Sequence, residues 1–139
     1  MSNLDGVLHG GRHVMPVRIY YEDTDFSGNV YHANYLKYCE RARSDYLRVM
    51  GVDQTAMFAA GEAFVVRHMA CDFLRPAKFE DELEVETHLK AMTGARFELA
   101  QVVKRGPETL FSALVTVAII DKAGRPKRIS AALAETLSR

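Results

Sequence analysis

The sequence predicts an α+β domain in which an antiparallel sheet of about five strands packs on one long helix. Two observations predict it. From Tyr31 to Met50 the apolar residues recur with the period of a helix, and from Glu62 to Ile120 that period gives way to the alternation of strands. The links in this second region are short and rich in Gly, Pro and Asp, as neighbouring antiparallel strands require.

Met1 to Arg12 is polar and carries Gly6, Gly10 and Gly11, so it reads as a flexible N-terminal tail before a single domain over residues 13–139. A first strand runs from His13 to Glu22 on Val14, Val17, Ile19, Tyr20 and Tyr21, and Pro16, with no N–H for a ladder, marks an edge. In the long helix Tyr31, Tyr35, Tyr38, Ala42, Tyr46 and Val49 form a buried stripe widened by Leu36, Cys39, Leu47 and Met50. Asn34, Lys37, Arg41, Ser44 and Arg48 form a polar stripe expected to face solvent, and Glu40 with Arg43 fits an ordinary i,i+3 ion pair. Gly51 stops this helix; Asp53 caps a short second one through about Ala60.

Four strands follow. Glu62–Leu74 closes at Arg75-Pro76, and Asp81–Lys90 alternates Leu83, Val85, Thr87 and Leu89 against Glu82, Glu84, Glu86 and His88, which gives it one wet face. Ala95–Arg105 alternates likewise, Gly106-Pro107-Glu108 turns, and Leu110–Ile120 is apolar on both faces and reads as central. Residues 121–126 form a turn, and a short helical or irregular end begins at Ser130.

A chain of 139 residues with 48% hydrophobic and 26% charged residues is sized and composed to fold as one domain. Lys plus Arg and Asp plus Glu are both 18, so no global field favours nucleic acid, although a small cluster can serve one phosphorylated ligand. Cys39 and Cys71 lack CxxC spacing and read as free, at least half-buried thiols in a reducing cytoplasm. No signal-peptide order and no apolar run of about 20 residues appears, so no membrane span is expected. Excess apolar surface on the two-sided strands predicts a homo-oligomer.

The chemistry concentrates between Glu22 and Tyr35, where two acids, a glycine turn and the start of the long helix meet. Asp23 to Gly28 matches the opening of a calcium loop, with Val30 at its apolar place, but Asn34 stands at the twelfth place, where a bidentate carboxylate is required. Two readings stay open: a strand-to-helix junction built of ordinary turn and cap residues, and an acid–base or nucleophilic site. In the second, Asp25 lies beside the positive end of the helix, whose free N–H groups can polarise a carbonyl.

Tyr21-Glu22-Asp23-Thr24-Asp25, Gly28, Val30-Tyr31-His32-Ala33-Asn34-Tyr35, Glu40-Arg41-Ala42-Arg43 and Asp72-Phe73-Leu74-Arg75-Pro76-Ala77 together resemble one family. It is the hotdog-fold acyl-CoA thioesterases of the 4-hydroxybenzoyl-CoA thioesterase type, nearest the Tol–Pal-associated, YbgC-like branch, and the similarity runs from about Val17 to Arg128. The resemblance implies a sheet wrapped round a central helix, dimers joined edge to edge and often homotetramers, with active sites at the subunit interface. It implies an acyl-CoA substrate, with acyl carrier protein as the other carrier, and no cofactor or metal. On its pattern Asp25 is the catalytic nucleophile or general base, the backbone N–H near His32 is the oxyanion donor, and Asp23 shapes the turn. Gly28 and Tyr31 are candidates for holding substrate; Arg96 and Arg128, with Lys90 and Lys127, are candidates for the coenzyme A phosphates by charge. The family's basic run before its fourth strand is reduced here to one residue, Arg96. The alternatives are a hotdog module that binds acyl thioesters or proteins without catalysis, and a dehydratase acting on acyl thioesters.

Overall fold

In the computed structural model, which describes residues 3–139, the chain leaves its sheet once and returns at the opposite edge. Strand β1 (Val7–His9) pairs with β2 (Arg12–Arg18), and one turn of 3-10 helix (Tyr21–Asp23) leads into α1 (His32–Val49). Helix α1 crosses the sheet, α2 (Gln54–Ala59) turns the chain, and β3 (Glu62–Phe73) enters at the far edge. Strands β4 (Glu82–Met92), β5 (Arg96–Arg105) and β6 (Glu108–Asp121) fill the gap; β7 (Pro126–Lys127) and α3 (Ala131–Leu137) end the chain. The spatial order is β1-β2-β4-β5-β6-β3, with β7 on β6 and every pair antiparallel.

The five long strands and the central helix agree with the sequence reading, and β1 and β7 extend the sheet at its margins. β1 corrects the expectation of a tail reaching Arg12. Gly10 and Gly11, read as slack chain, sit at φ of 55° and 81° and form a hairpin turn, so that Val7 faces Val14 and His9 faces Arg12. The first two residues of the expected tail, Met1 and Ser2, lie outside the described residues. The first strand is also shorter than expected. It stops at Arg18, because the Tyr20 N–H turns back to the Asp23 carboxylate at 2.8 Å and starts the 3-10 turn. Pro16 stands on the stretch of β2 that β1 does not cover, where a missing N–H leaves no β1 partner unsatisfied.

The core lies between α1 and the sheet. Tyr35, Tyr38, Cys39, Ala42 and Tyr46 of α1 meet Leu83, Val85, Phe97, Leu99, Val103, Phe111 and Val115, and Tyr35 stacks on Phe111 at 5.2 Å. Each Val, Leu or Phe among them contributes roughly 1.5–3 kcal/mol on burial. Strand β6 is buried without a break from Val115 to Ile119, so both of its faces are covered there, whereas β4 keeps Glu82 and Glu84 in solvent. Asp53 caps α2 by accepting the Ala56 N–H at 3.0 Å.

Two residues of the expected polar stripe and ion pair turn inward instead. Asn34 is buried, for a reason that belongs to the site below. Arg43 donates to Gln101 Oε1 at 3.0 Å, and Gln101 donates to the Cys39 carbonyl at 3.0 Å and to Thr87 Oγ1 at 2.9 Å, a polar bridge from helix to sheet. Burial lowers the Arg43 pKa, while Glu40, the expected partner, accepts from Ser44 at 3.2 Å. Cys39 and Cys71 are both free; burial pushes the Cys39 thiol up to about 12, which leaves it unreactive at neutral pH.

Candidate active site

The loop from Thr24 to Tyr31 is closed by its own backbone before any side chain is considered. The Asp25 N–H donates to the Asn29 carbonyl at 2.9 Å and the Gly28 N–H to the Asp25 carbonyl at 3.0 Å, with Gly28 at φ 84°, where a side chain would be strained. Ser27 then donates both its N–H, at 2.8 Å, and its hydroxyl, at 2.5 Å, to Asp25 Oδ1. The Ser27 hydroxyl foremost, its N–H next, and the nearby His32 hold the Asp25 pKa below the usual aspartate range. Asp25 Oδ2 has no hydrogen-bond partner among the described residues, so the group is ionised, exposed and half occupied.

Asp23, two places earlier, is its opposite. It is buried; Oδ2 accepts the Tyr20 N–H at 2.8 Å, Oδ1 accepts Asn34 Nδ2 at 2.9 Å, and its carbonyl accepts the Tyr31 N–H at 2.9 Å. This explains the inward turn of Asn34: the residue counted as solvated is the one that satisfies Asp23. The Tyr38 hydroxyl lies beside the same carboxylate, and burial first, then the Asp23 charge, raises its pKa.

Helix α1 begins at His32, with Tyr31 as its cap residue. The Asn34 N–H bonds the Tyr31 carbonyl at 2.8 Å, while the N–H groups of His32 and Ala33 are free of backbone partners among the described residues, as the first turn of a helix leaves them. The His32 ring stands against Tyr31 at 4.6 Å and Phe73 at 6.0 Å, so packing orients it while it stays exposed.

A cavity of about 300 Å³ joins these groups. Asp25, Ser27, Asn29, Val30, His32 and Tyr35 line one side, and Phe73, Leu74, Arg75 and Pro76 the other. Of the expected site residues, Asp25 and His32 both line it. Gly28 and Tyr31 stand in the same loop without lining it. Arg96 and Arg128 lie together at the other end of the sheet, the Arg128 guanidinium over Gly94 in the β4–β5 turn. Arg96 pairs with Ala118 and Phe73 with Phe111, so about 23 Å of β6 separates these arginines from the cavity within one chain. Lys127 is engaged by Glu62 at 2.7 Å, and Lys90 is exposed on β4.

Three contributors escaped the sequence reading as site residues: Ser27, Phe73 and Arg75. Among the described residues Arg75 is the one Lys or Arg lining the cavity, and its sequence signal is its place in the motif after β3. No group of three or more His, Cys, Asp or Glu side chains stands close enough to hold a metal ion among the described residues.

A family model described as the thioesterase-like superfamily matches residues 20–137. The chain belongs to that superfamily. It is 42% identical over 107 residues to the acyl-CoA thioester hydrolase YbgC of Escherichia coli O6:H1, covering 76% of this chain and 80% of that protein. To the acyl-CoA thioesterase YbgC of Haemophilus influenzae it is 44% identical over 107 residues, covering 76% and 79%. Among solved structures, a probable thioesterase from Bartonella henselae superposes with a TM-score of 0.81 at 41% identity, over 86% of this chain and 99% of the other. The fold is therefore the hotdog fold, and the thioesterase-like chain is a thioester hydrolase. No helix among the described residues is long and apolar enough to cross a membrane.

Proposed function

We propose that this hydrolase cleaves acyl-CoA thioesters to a free acid and coenzyme A, with Asp25 as the reacting carboxylate. One observation carries the reading: an ionised, half-occupied carboxylate and the start of α1 line one cavity, whose other wall is Phe73, Leu74, Arg75 and Pro76. The thioester carbonyl oxygen sits against the free N–H groups of His32 and Ala33, which stabilise the oxyanion as it forms. Asp25 Oδ2 then attacks the carbonyl carbon, the C–S bond breaks to release the coenzyme A thiolate and water hydrolyses the mixed anhydride, or Oδ2 takes a proton from a water that attacks and expels the thiolate directly; both routes use the same atom. Ser27 supports either by holding Oδ1 and keeping the group charged. The YbgC relatives named above are acyl-CoA thioesterases, which supports coenzyme A as the carrier.

Arg75 supplies the cation at the cavity for the nucleotide end. Arg96 and Arg128 reach the site from a second copy. Strand β3 is a twelve-residue edge with β6 as its one neighbour among the described residues, and Val66 and Phe73 on it are exposed. Antiparallel pairing of two such edges brings the far end of one sheet toward the cavity of the other. The resulting dimer is the minimal active unit.

The deciding experiment is release of free thiol from a panel of short, long and aromatic acyl-CoAs, with acyl-carrier-protein thioesters alongside, by wild type and Asp25→Asn. Turnover that vanishes with Asp25 supports the assignment; equal turnover by the variant removes it. Faster turnover of the carrier-protein thioesters replaces coenzyme A as the carrier.

A further inference from the structure

The segment from Leu74 to Asp81 is one wall of the cavity and also sets the position of the other. Leu74, Arg75 and Pro76 line it directly. The Ala77 carbonyl accepts the Val30 N–H at 2.8 Å, Lys78 forms an isolated antiparallel bridge with Asn29, and the Asn29 carbonyl accepts the Asp25 N–H at 2.9 Å. The Ala77 N–H donates to the Tyr35 hydroxyl at 2.9 Å. The Asp25 loop, closed on itself, is thus also registered against this segment by main-chain bonds, so a shift of the segment is passed to the loop.

Nothing regular holds the segment. It is no strand or helix, and Glu80 in it takes φ 75°, a left-handed conformation that costs a non-glycine residue about 1 kcal/mol or more. Main-chain bonds hold its two ends, the Leu74 and Arg75 N–H groups on the Leu110 carbonyl at 2.8 and 3.1 Å and the Glu80 N–H on the Ile19 carbonyl at 3.0 Å; between them, besides the Tyr35 hydroxyl, a guanidinium from another element ties it down. Arg105, the last residue of β5, donates Nη1 to Asp81 Oδ2 at 2.8 Å and to the Pro76 carbonyl at 3.3 Å. Its Nε and Nη2 both donate to Glu108 Oε1, at 3.2 and 2.7 Å, which anchors the guanidinium on the β5–β6 turn. Asp81 Oδ2 also accepts the Lys78 N–H at 2.9 Å, and Arg75 pairs with Glu108 Oε2 at 3.2 Å. Three donor nitrogens of one planar group therefore reach two carboxylates and a carbonyl, which a lysine ammonium cannot reproduce.

We propose that Arg105 is a positioning residue for thioester hydrolysis: through Asp81 and Pro76 it fixes the Ala77–Lys78 backbone that sets the Asn29–Val30 edge of the Asp25 loop. The proposal rests on Asp25 being the reacting group. Arg105, Asp81 and Glu108 do not line the cavity and touch no reacting atom. Arg105, Asp81 and Glu108 are all partly exposed, at 35%, 24% and 33%, so their ion pairs add little to stability, while a displacement of about 1 Å at a reacting group can cost up to roughly a hundredfold in rate. The strap thus matters more to turnover than to folding.

The test is to purify Arg105→Lys, Asp81→Asn and the double variant. kcat and KM are measured on an acyl-CoA that wild type hydrolyses, together with amide hydrogen exchange over residues 28–31 and 76–81. The expected result is a kcat lowered roughly tenfold by each single change with KM within about twofold, and a double variant no slower than the worse single. Exchange at Val30 becomes faster in all three. Unchanged kcat, a change confined to KM, or fully additive losses overturn the proposal. If wild type hydrolyses none of the panel, the substrate reading falls by itself, and exchange at Val30 then judges the strap: faster supports it, unchanged overturns it.

Discussion

Helix α1 carries an aspartate of consequence at each end, and the two are treated in opposite ways. Near its C-terminal end, Asp45 is buried and saturated: it accepts the Gly6 N–H at 2.7 Å, His13 Nε2 at 2.6 Å and Arg48 Nη1 at 3.0 Å. Before its N-terminal end, Asp25 is exposed, with one oxygen held by Ser27 and the other unpartnered among the described residues. Burial alone would raise the Asp45 pKa, but Gly6, His13 and Arg48 outweigh it, and both carboxylates end below the ordinary range. A lowered pKa therefore does not set the proposed reacting acid apart from Asp45. An unspent oxygen on a residue lining a cavity does, because permanent partners that saturate a carboxylate leave no lone pair for substrate.

The strongest way to break this contrast is Asp25→Asn. It should lower kcat on the preferred acyl-CoA by about a thousandfold or more while unfolding stability stays within about 0.5 kcal/mol, read by thiol release and thermal melting. Asp45→Asn should do the reverse, costing on the order of 3 kcal/mol in urea unfolding and leaving the kcat of the folded fraction intact. Because the folded Asp45 pKa is lowered, its contribution is fully present above the unfolded carboxylate range. It is lost as pH falls through that range to the folded value, so wild type and variant should converge in stability in acid. Asn34→Ala, which strips one partner from buried Asp23, should cost about 1–3 kcal/mol of stability, measured in the same titration. The smallest effect belongs to Ser27→Ala. Losing that hydroxyl removes the main support of the charged form, so the acid limb of kcat/KM should move to higher pH, with the neutral-pH rate changed least.

Local pattern made much of this legible. The α1 stripe and its stop at Gly51 follow from one helical period, and the acid pair, the glycine turn and the helix start identified the loop that lines the cavity. What misled was also local. A helical wheel places Asn34 among solvated residues, because it cannot show that Asp23, 11 residues earlier, folds back over that face. The same wheel pairs Arg43 with Glu40, whereas the low-dielectric gap between helix and sheet is bridged by Arg43 and Gln101, 58 residues apart. Glycines in the first stretch read as slack until the Gly6 N–H finds Asp45 across 39 positions.

The sequence by itself determined the long helix and the five long strands, their order, and which short stretch carries the proposed reacting acid, since periodicity, turn chemistry and the quoted motifs are properties of neighbours along the chain. Only the tertiary structure decided which carboxylate stays unspent, that Arg75 rather than Arg96 or Arg128 lines the cavity within one chain, and that Arg105 reaches Asp81 and Pro76 from 24 and 29 residues away. Each of these depends on strand register and on how many partners surround a charge. Neither exists until the sheet has closed around its helix.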